Sequence, residues 1–311
     1  MGLVAVFFST LVVLGYLVTI WWLDRYEREP WWLIASTFAW GGLGGTCFAV
    51  VLSAIPAVGL TALFGEQVSS VVSTVVVAPV VEEITKALVF VPLFLTRHID
   101  TETDGLIYGA ATGLGFAAVE NLVYYAGAGD ALYSTIILRT LFSTFVHCIA
   151  SSMVGIGVGW ARHRPWTSSW AIVVGYLAAV ATHGTWNGLA VLTEKSGQGL
   201  VFVLSCGLLT GAGLMMFALT QWMLIREHRV LQRILRVEAG RGTLSASDAD
   251  AIPFWTKRGR VKHPQRRELI RLATLLAFRQ HQFEQSGTLD SPKAVAELDR
   301  LRGELGALQV G

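Results

Sequence analysis

Charge is scarce in this chain. Asp, Glu, Lys and Arg make up 15% of its 311 residues, where a soluble domain carries about 25%. So little charge cannot coat a water-soluble fold of this size, and 53% of the residues are hydrophobic, with a mean hydropathy of +0.54. Cysteine is scarcer still. Cys47, Cys148 and Cys206 all fall inside apolar runs, at spacings that fit neither a disulfide framework nor a thiolate zinc site, and they read as small core residues. The first apolar run lacks a basic leader and a small-residue cleavage site, so it is expected to stay as a helix and not to be removed as a signal peptide. No lipidation motif is present.

What the chain has in quantity is long apolar runs. Seven of them, near 2–23, 31–60, 67–95, 105–127, 132–161, 168–192 and 199–225, are long enough to cross ~30 Å of hydrocarbon, which takes ~20 helical residues. The expected fold is all-α: a polytopic membrane helical bundle of about seven transmembrane helices over 1–225, followed by a small helical cytoplasmic tail over 226–311.

The two parts differ in charge. Residues 226–311 hold 16 Lys/Arg and 10 Asp/Glu, net +6, whereas residues 1–225 hold 8 and 12, net −4. In the tail, residues 227–238 are expected to continue the last apolar helix, and LSASDADAI at 244–252 reads as a capped turn. Residues 265–283 carry apolar side chains at helical spacing, and 291–305 begin with a Ser cap and a first-turn Pro. The basic run KRGRVKH at 257–263, beside Phe254 and Trp255, suits contact with anionic membrane lipid. No recognition motif accompanies it, and no nucleic-acid partner is expected.

The basic loop residues share a side. Arg25 and Arg28 lie between helices 1 and 2, Arg97 between 3 and 4, and Arg162 and Arg164 between 5 and 6, while Arg226 opens the tail. The intervening loops hold one Lys, Lys195. The positive-inside rule then puts the N-terminus outside and the tail in the cytoplasm. The loop DRYEREPWW at 24–32, with Trp21 and Trp22 before it, fits an interfacial aromatic belt. GGLGG at 41–45 follows no strand and reads as close helix packing, not as a nucleotide loop. Gly109/Gly113, Gly155/Gly159 and Gly207/Gly211 repeat the same small-residue spacing.

Four successive helices carry groups that a bilayer should reject. Glu82 and Glu83 lie on the third, Glu120 on the fourth, His147 on the fifth and His183 on the sixth. Counted from the nearest cytoplasmic end (Arg97, Asp104, Arg162 and Ser168), Glu83, Glu120, His147 and His183 each lie roughly 21–24 Å deep at ~1.5 Å per residue. Helices of alternating direction therefore bring these residues to one level. Lys86 shares a face with Glu82 and Glu83, Phe116 with Glu120, and Asn187 with His183. Asn121 adjoins Glu120, Arg139 precedes His147 by eight residues, and Pro79 is placed to kink helix 3 and free backbone carbonyls. A polar network that merely fixes packing would gain only ~0.6–2 kcal/mol per hydrogen bond, a small return for burying three Glu, a Lys and two His together.

These residues carry a resemblance. E-E-x-x-K at 82–86, F-x-x-x-E-N at 116–121, R-x₇-H at 139–147 and H-x-x-x-N at 183–187, with the DRYEREP loop, resemble the PrsW family of bacterial intramembrane proteases. That family is distantly related to the CAAX prenyl endopeptidases. The resemblance covers about residues 20–195 and leaves the basic tail unmatched. It implies an endopeptidase of the bacterial cell membrane that cuts single-span membrane proteins near the extracytoplasmic face, an anti-sigma factor in envelope stress being the best-known substrate. It also implies an active site of Glu82, Glu83, Glu120, His147 and His183; by their spacing Asn187 is a further candidate catalytic residue, and Lys86, Asn121 and Arg139 are candidate supporting residues. The related endopeptidases carry His where this chain has Glu120, so their assignments transfer only in part.

Two mechanisms fit the residues. In one, His147, His183 and one or two of the glutamates, with Glu83 and Glu120 as the candidates, hold a zinc ion and another glutamate acts as base. In the other, a buried glutamate activates water without metal, and His and Asn187 stabilise the oxyanion. Outside proteolysis, mid-membrane acid and His groups also serve proton- or ion-coupled transport, although the two halves show no inverted repeat. A non-catalytic substrate-binding scaffold is the third class.

The orientation is checked by cysteine labelling. A Cys placed in the 128–131 loop should react with an impermeant reagent from outside, and one at 98–103 only after the inner face is opened. The reverse pattern would overturn the orientation.

Overall fold

The computed structural model describes residues 2–24, 26 and 28–310. Arg25, which entered the loop charge count, and Glu27 of the DRYEREP loop lie outside the described residues. Among the described residues there is no strand. Helices stand at all seven apolar segments: α1 (Gly2–Leu23), α2 (Trp31–Phe64), α3 (66–87) with the short α4 (Phe90–Leu95), α5 (Glu102–Gly127), α6 (Gly129–Ala161), α7 (Trp170–Ser196) and α8 (Gly199–Gly240). Three more helices follow, α9 (Ala246–Ala251), α10 (Arg266–Ser286) and α11 (Pro292–Val310).

Four of these helices, α2, α5, α6 and α8, are long and apolar enough to cross a membrane, and α1 adds a shorter apolar helix over Val6–Trp22. The chain is therefore an all-helical integral membrane protein. In α3 the apolar run is interrupted by Glu82, Glu83 and Lys86, and α7 mixes His183, Asn187, Glu194 and Lys195 into its sequence. The segment expected as one helix over 67–95 breaks at Leu88–Val89. Pro92 has no N–H to offer the Leu88 carbonyl four residues earlier, and that carbonyl instead accepts from Val91 N at 3.2 Å.

The chain divides into two compact units. The first comprises 1–23, 29–162 and 167–218, and the second 24–28, 163–166 and 219–311. At the centre of the first unit lie α5 and α6. Nearly three quarters (72%) of the apolar window of each is buried, against 6% for α2 and 11% for α8. Glycines permit this contact. A Cβ on Gly105 would stand 1.9 Å from the Gly155 carbonyl oxygen, and one on Gly109 2.4 Å from that of Ser151. The GGLGG stretch does the same for α2 against α5, since a Cβ on Gly41 would meet the Thr112 carbonyl oxygen at 2.0 Å. Around Gly207 and Gly211 there is open space, so that third repeat makes no such contact.

Three π-helical turns interrupt the bundle helices, over Trp40–Gly45 in α2, Ser73–Val77 in α3 and Leu138–Ser143 in α6. The second immediately precedes Ala78–Pro79. Pro79 cannot donate to the Val75 carbonyl, and α7 closes on this weakened stretch. Asn187 Nδ2 donates to the Thr74 oxygen at 3.0 Å, the Tyr176 hydroxyl donates to the Val80 oxygen at 3.0 Å, and Gly184 leaves room beside the Val75 oxygen.

The second unit has its own apolar core, built from Leu231, Ile234 and Leu235 of α8, Ile252, Leu269 and Leu276, and Leu301 and Leu305 of α11. Tyr26 packs against it, and its hydroxyl lies 3.3 Å from His228 Nδ1. The helix starts follow the sequence signals: Ser245 Oγ accepts from Asp248 N at 3.1 Å and Ser291 Oγ from Ala294 N at 3.2 Å. Glu238 is fully buried at the end of α8, where it accepts from Arg302 Nη2 at 2.9 Å, Arg241 Nη1 at 2.7 Å and Thr243 Oγ1 at 3.1 Å. On the surface, hydrogen bonds from Arg233 hold the Glu284 carboxyl below the usual carboxylate range.

Glu238 ties α11 to α8. Breaking a buried charge pair costs ~3–5 kcal/mol, and less where guanidiniums reach water, as Arg241 and Arg302 do. Glu238→Ala should therefore destabilise the second unit by about 2–3 kcal/mol. Hydrogen exchange of the full chain should show faster opening over 230–305, and unchanged exchange would contradict this role.

Candidate metal and catalytic centre

The ionisable residues singled out on α3, α5, α6 and α7 converge on one buried cluster. Its middle is Lys86, 1% exposed. The Lys86 ammonium donates to Glu83 Oε1 at 2.8 Å and to His147 Nδ1 at 2.8 Å, and lies 3.8 Å from Glu82 Oε2. The Phe116 ring stacks under it, with 3.9 Å from Nζ to the ring centroid. That is a cation–π contact that replaces part of the lost hydration. The helical spacing of α3 makes this possible: residues 82 and 83 are four and three before 86, so both carboxylates reach the lysine's side of the helix.

Hydrogen bonding assigns the imidazoles. An ammonium can only donate, so His147 Nδ1 accepts from Lys86, and His147 Nε2–H is left to donate to Glu120 Oε2 at 2.8 Å. His183 Nδ1 lies 2.9 Å from Glu83 Oε1. A carboxylate accepts, which places a proton on His183 Nδ1; in the neutral ring Nε2 then carries the lone pair, 3.7 Å from Glu82 Oε2. A carboxylate holding one ring nitrogen while the other faces outward is the arrangement that orients a metal-binding histidine. The two rings meet edge to face, with centroids 4.7 Å apart.

The carboxylates differ in their partners. Glu83 is wholly buried and is held by Lys86, His183 and, at 3.4 Å, the Ser151 hydroxyl. Glu120 is paired with His147 and with Arg139, and its side chain is 19% exposed. Arg139 also donates from Nε to Asn121 Oδ1 at 3.1 Å and stacks on the Tyr124 ring. Asn121 in turn donates to Thr144 Oγ1 at 2.9 Å, so α5 and the π turn of α6 are locked beside the cluster. Glu82 Oε2 is buried with no hydrogen-bond partner.

A divalent cation suits this donor set. Glu82, His147 and His183 each offer a ligand atom, and the three atoms lie within 4.8 Å of one another. The Glu82 oxygen without a hydrogen-bond partner and His183 Nε2, 3.7 Å from it, suit a cation, and one carboxylate with two imidazoles is a usual ligand set for catalytic zinc. Of the expected carboxylate ligands, Glu83 is held by Lys86, His183 and Ser151 and Glu120 by Arg139 and His147, while Glu82 carries the oxygen without a hydrogen-bond partner. Asn187 holds the Thr74 carbonyl and so acts on the shape of α3. Lys86 lies at the middle of the cluster, and Asn121 and Arg139 lie beside it. Ser151 was not foreseen, although its position four residues after His147 puts it on the same face of α6.

Comparison with known proteins points to one family. Residues 29–221 match the family described as PrsW family intramembrane metalloprotease, a stretch that contains every residue of the cluster. The chain is 27% identical over 176 residues to Protease PrsW of Geobacillus kaustophilus, covering 56% of this chain and 74% of that protein. It is 33% identical over 119 residues to Protease PrsW of Clostridioides difficile, covering 37% of this chain and 48% of the relative. It is 31% identical over 75 residues to Protease PrsW of Bacillus subtilis, covering 24% and 33%. The matched stretches thus span three quarters of the first relative and less than half of the other two. No solved structure matches the chain.

Proposed function

The chain belongs to the PrsW family of intramembrane metalloproteases, and from that membership we propose that its buried Glu/His/Lys cluster hydrolyses a peptide bond of a membrane-protein substrate. The observation that carries the assignment is the trio Glu82, His147 and His183, whose ligand atoms lie within 4.8 Å and include a buried oxygen without a partner. We assign these three residues as the ligands of a zinc ion. When bound, such an ion polarises a carbonyl and lowers the pKa of a bound water towards neutrality.

The chain's own residues divide the remaining work. Glu83 holds His183 through Nδ1 and so keeps Nε2 aimed at Glu82. Glu120 is the base: the most exposed of the three carboxylates, it accepts a proton from the attacking water. The water oxygen adds to the scissile carbonyl carbon, and the carbon–nitrogen bond then breaks as the proton passes from Glu120 to the departing amine. Arg139, paired with Glu120, fixes the direction of that carboxylate and carries a positive charge beside the forming oxyanion.

The substrate in this reading is a single-span membrane protein, with an anti-sigma factor of envelope-stress signalling as the candidate class. Support comes from the resemblance and from the depth of the cluster along each helix. In this reading all seven apolar helices span the membrane, in contact with its lipid. The N-terminus is outside and the basic tail cytoplasmic, which puts the cleavage position in the outer half. The proton-coupled transport and scaffold readings give way to the family membership.

Purified protein and a tagged single-span substrate test the assignment. Glu82→Gln, Glu120→Gln, His147→Ala and His183→Ala should each lower cleavage by about 10²-fold or more, with the protein still inserted. A strong chelator should abolish cleavage and added zinc restore it. Near-normal cleavage by Glu82→Gln or His183→Ala, or full activity in metal-free protein, would sink the metal assignment.

A further inference from the structure

Lys86 occupies a position that a zinc-site lysine has no need to occupy. Of the three ligand residues, Glu82 has an oxygen without a hydrogen-bond partner, and His183, with Nδ1 turned to Glu83, has Nε2 left to face Glu82. His147 differs. Its Nε2–H is directed to Glu120 at 2.8 Å, and its one lone pair, on Nδ1, accepts from the Lys86 ammonium at 2.8 Å. The same ammonium lies 2.8 Å from Glu83 and 3.8 Å from Glu82. It thus stands among the negative and lone-pair atoms that a cation would also seek.

We propose that Lys86 is the resident cation of the metal-free site. Its ammonium caps His147 Nδ1, the ring atom that carries the lone pair, and neutralises the paired glutamates, and an incoming divalent ion displaces it. This rests on the zinc-site reading above. Physically, three carboxylates in one buried cluster repel, and an unpaired buried charge is costly. Among the described residues, Lys86 and Arg139 are the lysine and arginine side chains that pair with the cluster's carboxylates. Lys86 therefore keeps the ligand helices α3 and α6 together before loading. Binding requires only that its flexible four-carbon stem move Nζ off Nδ1. The Phe116 ring face, 3.9 Å away, remains in contact with the released ammonium. The consequence is opposite to that of a supporting residue: removing the lysine charge strengthens metal binding and weakens the empty site.

The test is zinc affinity of the purified full chain in nanodiscs, measured by competition with a chromophoric chelator. Lys86→Met, close in length and uncharged, should bind zinc at least about tenfold more tightly than wild type, since it removes both a competitor and a nearby positive charge. Lys86→Arg, which keeps the charge, should stay within about threefold of wild type. Metal-free Lys86→Met should also melt lower than metal-free wild type. If Lys86→Met does not fold, wild type alone decides the question by nitrogen NMR of labelled histidine. His147 Nδ1 should resonate as a hydrogen-bond acceptor without zinc and as a metal-bound nitrogen with it. Equal or weaker zinc binding by Lys86→Met, or a His147 Nδ1 signal that zinc leaves unchanged, overturns the proposal while leaving the metal site intact. Wild type that binds no zinc overturns both.

Discussion

A carboxylate taken out of water loses several kcal/mol of hydration, and this protein brings three into one buried cluster within a helical membrane bundle. Every other feature of the centre follows from the need to compensate them. Lys86 takes two, Glu82 and Glu83, and Arg139 takes Glu120. The imidazoles bridge the pairs, so that Arg139, Glu120, His147, Lys86, Glu83 and His183 form one continuous chain of contacts. What remains over is a single buried oxygen of Glu82, beside the one imidazole nitrogen with a free lone pair. The metal assignment is the reading of that remainder.

Such a chain demands close and unyielding helices. The glycines of α5 and α6 bring the backbones into direct contact, which sets His147 on α6 beside Phe116 on α5, ring centroids 5.3 Å apart. The π turns of α3 and α6 shift the helical phase just before the segments that bear Glu82, Glu83, Lys86 and His147, a placement common at functional sites. Trp40, at the start of the first π turn, donates from Nε1 to the Thr85 carbonyl at 3.1 Å and so pins α2 to the turn between Glu83 and Lys86. Asn187 and Tyr176 do the same from α7.

Much of this was legible in the sequence because the bilayer makes polar residues conspicuous. Glu82, Glu83, Glu120, His147 and His183 stood out against apolar runs, and helix rise alone put them at one depth. Helical phase placed Lys86 with the paired glutamates. The division of labour between Glu82 and Glu83 was not legible. Adjacent residues differ by about 100° of helix, and the π turn at Ser73–Val77 resets the phase with Pro79 as its one visible sign. Asn187 has the spacing of a site residue, and its Nδ2 donates to the Thr74 carbonyl, a contact that only the three-dimensional course of α3 exposes. The tail was legible as helical through the apolar spacing of 265–283 and the Ser cap of 291–305, while 244–252, read as a capped turn, forms the short helix α9. Its buried Glu238 cluster was not, because charges that pair across 64 residues leave no local pattern.

X-ray absorption at the zinc edge tests the central claim most directly. Protein loaded with one zinc per chain should show first-shell nitrogen and oxygen at about 2.0–2.2 Å, with the outer-shell scattering of two imidazoles. His183→Ala should remove one imidazole from that signal. Zinc coordinated without imidazole, or a spectrum unchanged in His183→Ala, would contradict the assignment of Glu82, His147 and His183 as the metal centre.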